Sequence, residues 1–443
     1  NLNNRRTTES LFGTAQVGWK ESLYLDLTAR NDWSSTLAYT NSKNSGFFYP
    51  SVGLTWIMNK MLKMPTWIDF GKVRGSWSKV GNDIPLYVSN PVDKIGAGGK
   101  IIANDTAPFE DLKPELSTSW EFGTEWKFFG YRLNFDFTFY HTMTKNQLLR
   151  MPSSAGADYA YYYVNAGEIR NQGVEVTLGG YPLMNQNFSW KTEFNFSTNS
   201  NRVVKLHKDL KSFAYGDEGF SAGYMMRVVE GGRLGDIYGN TFERNTDGTI
   251  KTETDKDGDL LPVVTSGNHE KVGNSSPKCL LGWSNTFTYK GISLYFLIDS
   301  RFGGDVLSLT QAGLDQRGVS KNSGDARDRG YVEVDGTKFT NPEKFYNRVG
   351  GRACTTEYYM YNATNIRLRE LSLGYSLPKD LLDKTGFLKG ADISLVGRNL
   401  FFFHKDAPFD PDAVLSTGNA NQGIDVFGMP TTRSLGFNIK LTF

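Results

Sequence analysis

The sequence has little of the side chains that do most protein chemistry. Of 443 residues only four are histidine and two are cysteine. Cys279 and Cys354 lie far apart, one in a strand-like pattern and one in a loop, a spacing that suits neither a disulfide framework nor a thiolate metal site. His141, His207, His269 and His404 are scattered, with no HExxH pair, and neither a phosphate-binding loop nor a Ser nucleophile elbow is present. The run Gly231-Gly232-Arg233-Leu234-Gly235 lacks dinucleotide-binding spacing and reads as turn chemistry. No catalytic constellation emerges, so an enzyme is not expected. Charge of one sign is missing too. Lys plus Arg number 49 against 47 for Asp plus Glu, which removes the basic stripe of a nucleic-acid binder. Mean hydropathy is −0.42, and no apolar run approaches the roughly 20 residues of a spanning helix. Membrane strands remain open, because a barrel strand crosses with about 9–11 residues, half of them apolar.

Aromatic residues are abundant: 30 Phe, 22 Tyr and 9 Trp. They fall in a period-2 pattern, the signature of a strand with one apolar face. At the C-terminus Leu435, Phe437, Ile439, Leu441 and Phe443 alternate with Gly436, Asn438, Lys440 and Thr442. Leu116, Thr118, Trp120, Phe122, Thr124, Trp126 and Phe128 repeat the pattern, followed after a turn at Gly130 by Tyr131, Leu133, Phe135, Phe137 and Phe139. The phase slips near Glu370-Leu371, as a β-bulge would make it do. The alternation predicts about fifteen strands: 8–19, 22–33, 47–59, 67–80, 116–129, 131–148, 167–180, 187–203, 222–230, 234–242, 277–289, 291–303, 361–377, 390–403 and 430–443.

The connections sort into two kinds. Short ones fall at Lys20-Glu21, Met61 to Thr66, Gly130, Tyr181 to Gln186, Gly231-Gly232 and Lys290-Gly291, and long polar ones at 34–46, 81–115, 149–166, 204–221, 243–276, 304–360 and 404–429. Counted back from the last strand they alternate in length, provided that Met225 to Phe242 is a hairpin turning at Gly231-Gly232. Pro378 to Lys389 is the longest short-side connection, with room for a helical turn at Lys379 to Lys384. This is the pattern of an all-β, transmembrane antiparallel β-barrel with long loops at one end. A soluble β-sandwich would alternate as well, but the charge-free aromatic faces and the closing Phe443 favour lipid over a second sheet. An odd strand number does not close such a barrel, the chain does not open on Met, and no signal peptide is visible. The expectation is a piece of an outer-membrane barrel that lacks its first strands.

Three motifs invite a functional reading. Asp255, Asp257 and Asp259 alternate as in a hard-cation loop, but glycine comes fourth and no Glu follows in register, so a solvated turn is the first reading and Ca²⁺ the second. Tyr159, Tyr161, Tyr162 and Tyr163 crowd one long loop and could stack on a ligand or a protein lid; loop packing or an interfacial girdle is the plainer reading. Phe401, Phe402 and Phe403 sit where a strand meets a long loop, which suits the girdle.

Several strings in order resemble one family. Pro114-Glu115 leading into Trp120-Glu121-Phe122-Gly123, Asn165-Ala166-Gly167-Glu168-Ile169-Arg170-Asn171-Gln172-Gly173-Val174-Glu175, Ile366-Arg367-Leu368-Arg369 through Leu377-Pro378, Gly397-Arg398-Asn399-Leu400 and Asp410-Pro411-Asp412 are similar to SusC/RagA-type TonB-dependent outer-membrane transporters. Gly273-Asn274-Ser275-Ser276-Pro277-Lys278 departs from that family's Gly-Asn-Pro-x-Pro-Lys. The resemblance implies a 22-stranded barrel of which this chain supplies the C-terminal part, with the remaining strands, a plug and the TonB contact lying on a preceding segment or a separate chain. It also implies active import of an oligosaccharide or peptide under a SusD-like lipoprotein lid, polar residues such as Glu121, Glu125, Arg132 and Asp136 facing the lumen, and Phe443 as an assembly signal. An outer-membrane receptor or adhesion barrel without import is the alternative.

Overall fold

The computed structural model describes residues 5–40, 46–82, 84–109, 113–153, 156–165, 167–206, 211–214, 223–267, 270–418 and 421–443. Its contacts divide the chain into two compact units: 1–180 with 199–213 and 229–231, and 181–198 with 214–228 and 232–443. Among the described residues thirteen long strands follow one another. The first unit carries β1 (Thr8–Trp19), β2 (Leu23–Ser34), β3 (Phe47–Ile57), β4 (Ile68–Asn82), β5 (Glu115–Phe128), β6 (Leu133–Lys145) and most of β7 (Glu168–Met184). The second carries most of β8 (Phe188–Lys205), then β9 (Cys279–Tyr289), β10 (Ile292–Phe302), β11 (Asn365–Ser376), β12 (Gly390–Lys405) and β13 (Ser434–Thr442). Within each unit every strand pairs antiparallel with its sequence neighbour.

The registers explain the period-2 sequence. In the first unit one cross-strand row reads Val17, Leu25, Leu54, Gly75, Phe122, Phe139 and Val174. In the second, a row reads Trp190, Phe287, Leu294, Leu373, Leu395 and Phe437. These rows are stabilised by neighbour stacking, Trp190 on Phe287 at 5.7 Å and Phe194 on Trp283 at 5.4 Å. Yet the outward face is not buried by protein: Leu395 is 63% and Phe437 74% exposed. An apolar sheet face of this extent has to meet a non-aqueous neighbour.

The short connections are tight for a stated reason. Lys20 and Glu21 both take positive φ, as do Lys290 and Gly291, the twist that a two-residue hairpin needs. Between β7 and β8 the Asn185 side chain accepts from the backbone N–H groups of Asn187 and Phe188. Between β11 and β12 the expected helical turn is present at Lys379–Leu382. The phase slip resolves into register shifts between Ile366 and Arg367 and between Leu368 and Glu370.

The expected membrane hairpin at 222–230 and 234–242 is not there. Tyr224–Val229 and Asp236–Gly239 pair with each other, and the latter pairs with Glu270–Asn274, in a small separate sheet. Its alternating residues Tyr224, Met226, Val228 and Ile237 are buried inside the long β8–β9 connection rather than turned to lipid. Among the described residues the long strands therefore number thirteen, not fifteen. Removing two strands together leaves the alternation of short and long connections intact, because a pair of crossings returns the chain to the same strand end.

The long connections fold. In the second unit, the β8–β9, β10–β11 and β12–β13 connections share one core made of Tyr224, Ile237, Leu307, Phe339, Phe345, Val349, Tyr359 and Ile424, among others. Three helices lie in it: α1 (Leu309–Gln316), α2 (Lys321–Arg329) and α3 (Pro342–Val349). Their N-termini are capped by Ser308 to Gln311 N, Ser320 to Ser323 N and Asn341 to Lys344 N. In the first unit a smaller core joins Leu37, Phe47, Ile84 and Val88 with Tyr49, Phe109, Leu148 and Tyr163.

Candidate functional site

Two surfaces present chemistry: the polar strand face and the folded connections. On the polar face of the first unit, Arg74 lies over Gly123, where any Cβ would meet the guanidinium at 2.6 Å. From there it ion-pairs with Asp136 at 3.3 Å and approaches Glu121 at 3.6 Å, while Lys72 pairs with Glu125. Glu121, Glu125 and Asp136 thus share one polar face, as expected. Arg132 does not: it falls in the β5–β6 turn, before β6 begins at Leu133. Farther along this face, a recess of about 460 Å³ is lined by Arg6, Arg30, Asp32, Tyr49 and Lys79.

In the second unit the strings that carried the resemblance turn out to be one charge cluster. Arg367, almost fully buried on β11, contacts Asp299 at 3.5 Å, Asp410 at 3.8 Å and Asp412, and its guanidinium sits 5.6 Å from the Phe402 ring. Arg369 reaches Asp299 and Asn399, and Arg301 donates at 2.7 Å to the Ser275 carbonyl. Asn274 donates at 2.7 Å to the buried Asp236, and its own N–H donates to Asp305. The Arg-x-Arg and Asp-Pro-Asp strings therefore tie the β12–β13 connection to β10 and β11. In the first unit Asn165 has the matching task, donating to the Lys113 and Asn146 carbonyls; its neighbour Ala166 lies outside the described residues.

The four tyrosines separate. Tyr161–Asn165 pairs with Leu148–Pro152, and the Arg150 guanidinium lies 3.7 Å above the Tyr161 ring while ion-pairing with Asp105 at 3.0 Å. Tyr161 is thus held by packing and Tyr163 by the small core, whereas Tyr159 and Tyr162 are exposed. A recess of about 500 Å³ beside them includes Tyr87, Asn104, Asp105, Arg150 and Tyr163. Phe401 and Phe403 face outward in edge contact at 4.9 Å, but Phe402 points to the other face over Arg367, so only two of the three suit a girdle. Phe443 stacks on Phe387 at 6.1 Å.

Asp255, Asp257 and Asp259 converge on the ammonium of Lys344 at 2.7, 2.6 and 2.7 Å. These hydrogen bonds raise the Lys344 pKa and hold Asp255 below its usual range. Among the described residues no group of three or more His, Cys, Asp or Glu is arranged to hold a metal. Lys344 occupies the centre that a cation would take. His141 lies on β6 opposite Trp120, His404 hydrogen-bonds Asp406 at 2.9 Å, and His207 and His269 lie outside the described residues.

The sequence reading missed the three helices and, within them, Asp315. It is 1% exposed, its pKa is raised by burial, and it receives Gln311 and Ser320 on one oxygen. The capping residues Ser308, Ser320 and Asn341-Pro342 were the available signal.

Comparison with known proteins agrees with this geometry. The chain is 27% identical to TonB-dependent receptor P3 of Formosa agariphila over 97% of its own length and 45% of the relative's. It is 23% identical to TonB-dependent receptor SusC of Bacteroides thetaiotaomicron, over 99% and 44%. It thus spans less than half the length of these relatives. Among solved structures, the RagAB peptide importer in its closed-closed state matches with a TM-score of 0.74 at 21% identity, covering 98% of this chain and 48% of that one. The open-open state gives 0.75. That likeness is one of fold, a β-barrel. The family model described as "TonB dependent receptor-like, beta-barrel" matches residues 1–253, more than half of the chain, and the protein belongs to that outer-membrane family.

Proposed function

We propose that this chain is the C-terminal part of an outer-membrane importer that takes up a large nutrient, an oligosaccharide or a peptide, by TonB-dependent transport. The observation that carries the reading is the asymmetry of the connections. Within each unit all short turns fall at one strand end, and every long connection at the other end is built into a hydrophobic core. A passive pore needs no such investment, whereas a rim that docks a partner and grips a nutrient does. The ion-paired polar face suits a water-filled passage lined by fixed charges.

On this reading the remaining strands and the plug lie elsewhere in the same protein or in a separate chain. Support comes from the exposed edges of β1 and β13 and from relatives about twice as long. An unpaired edge is intolerable in lipid, so each should be paired in the complete barrel. A SusD-like lipoprotein would close over the folded connections, with exposed Tyr159 and Tyr162 as candidate contacts. Phe443 would act in barrel assembly.

The test is uptake of labelled oligosaccharides and peptides by a strain lacking the gene. Loss of one class, restored by the gene and abolished without TonB, is expected. Unchanged uptake of every nutrient would leave a receptor or adhesion barrel instead. Removing Phe443 should lower the amount of assembled barrel without changing the nutrient taken up; normal surface levels would refute that role.

A further inference from the structure

The outward face of the first unit changes character toward its long connections. Midway along the strands it is apolar, with Phe122 opposite Phe139 and both exposed. The next row on the same face is Trp120, His141 and Gln172, and the row after it Thr118, Met143 and Arg170. Last comes Leu116, Lys145 and Glu168, in which Lys145 reaches Glu168 at 3.7 Å. On β8, Asn199 accepts from the Tyr140 hydroxyl on the polar face, so Arg202, at an odd separation from Asn199, takes the outward phase, where it is exposed.

These strand ends gather cations that the protein leaves unanswered. Among the described residues Glu168 is the one carboxylate on the outward ends of β5 to β8, and Lys145 already faces it. Arg170 and Arg202 form no ion pair or side-chain hydrogen bond among the described residues, and even the Arg170 Nε is without an acceptor. His141 stands diagonally across from Arg170, at a Cβ separation of about 7–8 Å that one anion can bridge. Guanidinium groups free of carboxylates are the residues that recognise phosphate. Toward the long connections of the second unit, the outward row Leu281, Ser300, Ile366 and His404 contains neither Lys nor Arg. The charge is therefore local to β6, β7 and β8 rather than a property of every strand end.

We infer that the outward ends of β6, β7 and β8 hold the phosphate of a lipid headgroup, with the Arg170 guanidinium as the main donor and His141 and Arg202 beside it. A lipid is favoured over a free anion because the cations continue directly into the exposed apolar surface of Trp120, Phe122 and Phe139, which offers acyl chains a place to lie. Basic side chains at the edge of an apolar membrane face are how proteins hold anionic headgroups. The inference requires that the outward face meets lipid, and it is independent of import and of the nutrient.

The test is native mass spectrometry of the whole protein in detergent, titrated with dioleoylphosphatidic acid, dioleoylphosphatidylcholine and inorganic phosphate. Phosphatidic acid should be retained on the order of tenfold more tightly than phosphatidylcholine, whose choline cancels the phosphate charge. One cation near an anionic headgroup is worth about a fivefold change in binding, so Arg202→Gln and Arg170→Gln should each weaken phosphatidic acid retention by about that factor. Lys191→Gln, on the polar face of β8, should leave it unchanged. If Arg170→Gln fails to assemble, Arg202→Gln, at an exposed position, decides alone. Equal retention of the two lipids, or unaltered retention in the arginine variants, would overturn the proposal. Displacement of phosphatidic acid by inorganic phosphate at equal concentration would overturn it in favour of a free-anion site. Uptake by the gene-deletion strain is read separately: if the gene proves dispensable for uptake while phosphatidic acid is still retained, import falls and the lipid site stands.

Discussion

Two stretches of the second unit carry the same sequence pattern and live in opposite surroundings. In β13, Leu435, Phe437, Ile439 and Leu441 alternate with small or polar residues, and all four are largely exposed on the protein. In the short strand Tyr224–Val229, Tyr224, Met226 and Val228 alternate as regularly, and they are 1%, 4% and 3% exposed. Period-2 alternation reports an extended backbone with one apolar face; it is silent on whether that face meets lipid or protein. What separates the two is length and neighbours. Six alternating residues fall short of the roughly 9–11 needed to cross a bilayer, and residues of the β10–β11 and β12–β13 connections share the core that covers them.

The comparison breaks most sharply at the two kinds of apolar side chain. Phe345 is completely buried in the folded connections, with the Phe339 ring tilted against it at 4.9 Å and the Tyr346 ring edge-on at 5.4 Å. Phe345→Ala should cost about 3–5 kcal/mol of local stability and open this core, while the strands stay intact. Hydrogen exchange would show lost protection in α1, α3 and Tyr224–Val229 with β9 to β13 unchanged. Exchange spreading through the strands would mean that the folded connections and β9 to β13 form one cooperative unit. Next in size is Arg367→Met, which leaves the nearly buried Asp410 without its cation. A loss of about 3 kcal/mol is expected, read as early proteolysis in the β12–β13 connection. The same lesion would leave the charge pairs of the first unit untouched. Leu395→Arg, on the outward row of β12, should cost about 2 kcal/mol in a bilayer and reduce assembled barrel, yet leave the folded connections protected. If it disturbed them instead, the outward row would be a protein contact and the lipid assignment wrong.

Much of the sheet was legible in the sequence because a strand crossing a membrane obeys two strict rules, alternation and length, and because its short turns need residues that tolerate positive φ, such as Lys290-Gly291. The folded connections obey neither rule. Their core is assembled from Leu307, Phe345, Tyr359 and Ile424, more than a hundred positions apart at the extremes, and no local window shows that these residues meet. Arg367 illustrates the same limit. Its string was recognisable, but its partners Asp299, Asp410 and Asp412 come from two other segments, so the charge cluster is visible only in three dimensions. Lys344 likewise settled the surroundings of the three aspartates, and nothing in the spacing of Asp255, Asp257 and Asp259 announces a lysine some ninety positions away.

That lysine gives the smallest of the expected effects and the one that depends on pH. Lys344 and Arg348, one helical turn apart on α3, hold the Thr252–Thr254 and Leu260–Pro262 hairpin. Lys344 engages its three aspartates and Arg348 its Glu253, while Arg348 also donates to the Pro262 carbonyl. Asp255 is held below its ordinary pKa, chiefly by the hydrogen bond from Lys344, so its contribution is present above the usual carboxylate range near 4 and is lost as pH falls through its lowered value. The Lys344 pKa is raised, so its own contribution is present below the ordinary lysine value and is lost only as pH rises through the raised one. The two signs agree on a contact that is complete at neutral pH, loosening in acid as Asp255 is protonated and in strong base as Lys344 is deprotonated. Because all these groups are open to solvent, the effect should shrink in high salt. Protection of the hairpin amides, taken relative to the intrinsic exchange rate at each pH, should fall between pH 6 and about pH 3 in the unaltered protein, and Lys344→Met should flatten that dependence by loosening the hairpin at neutral pH. With the ammonium gone, the three carboxylates should also begin to take up Ca²⁺ in a titration that leaves the unaltered protein unchanged. Calcium binding of equal strength in both would show that Lys344 does not hold the centre of the cluster.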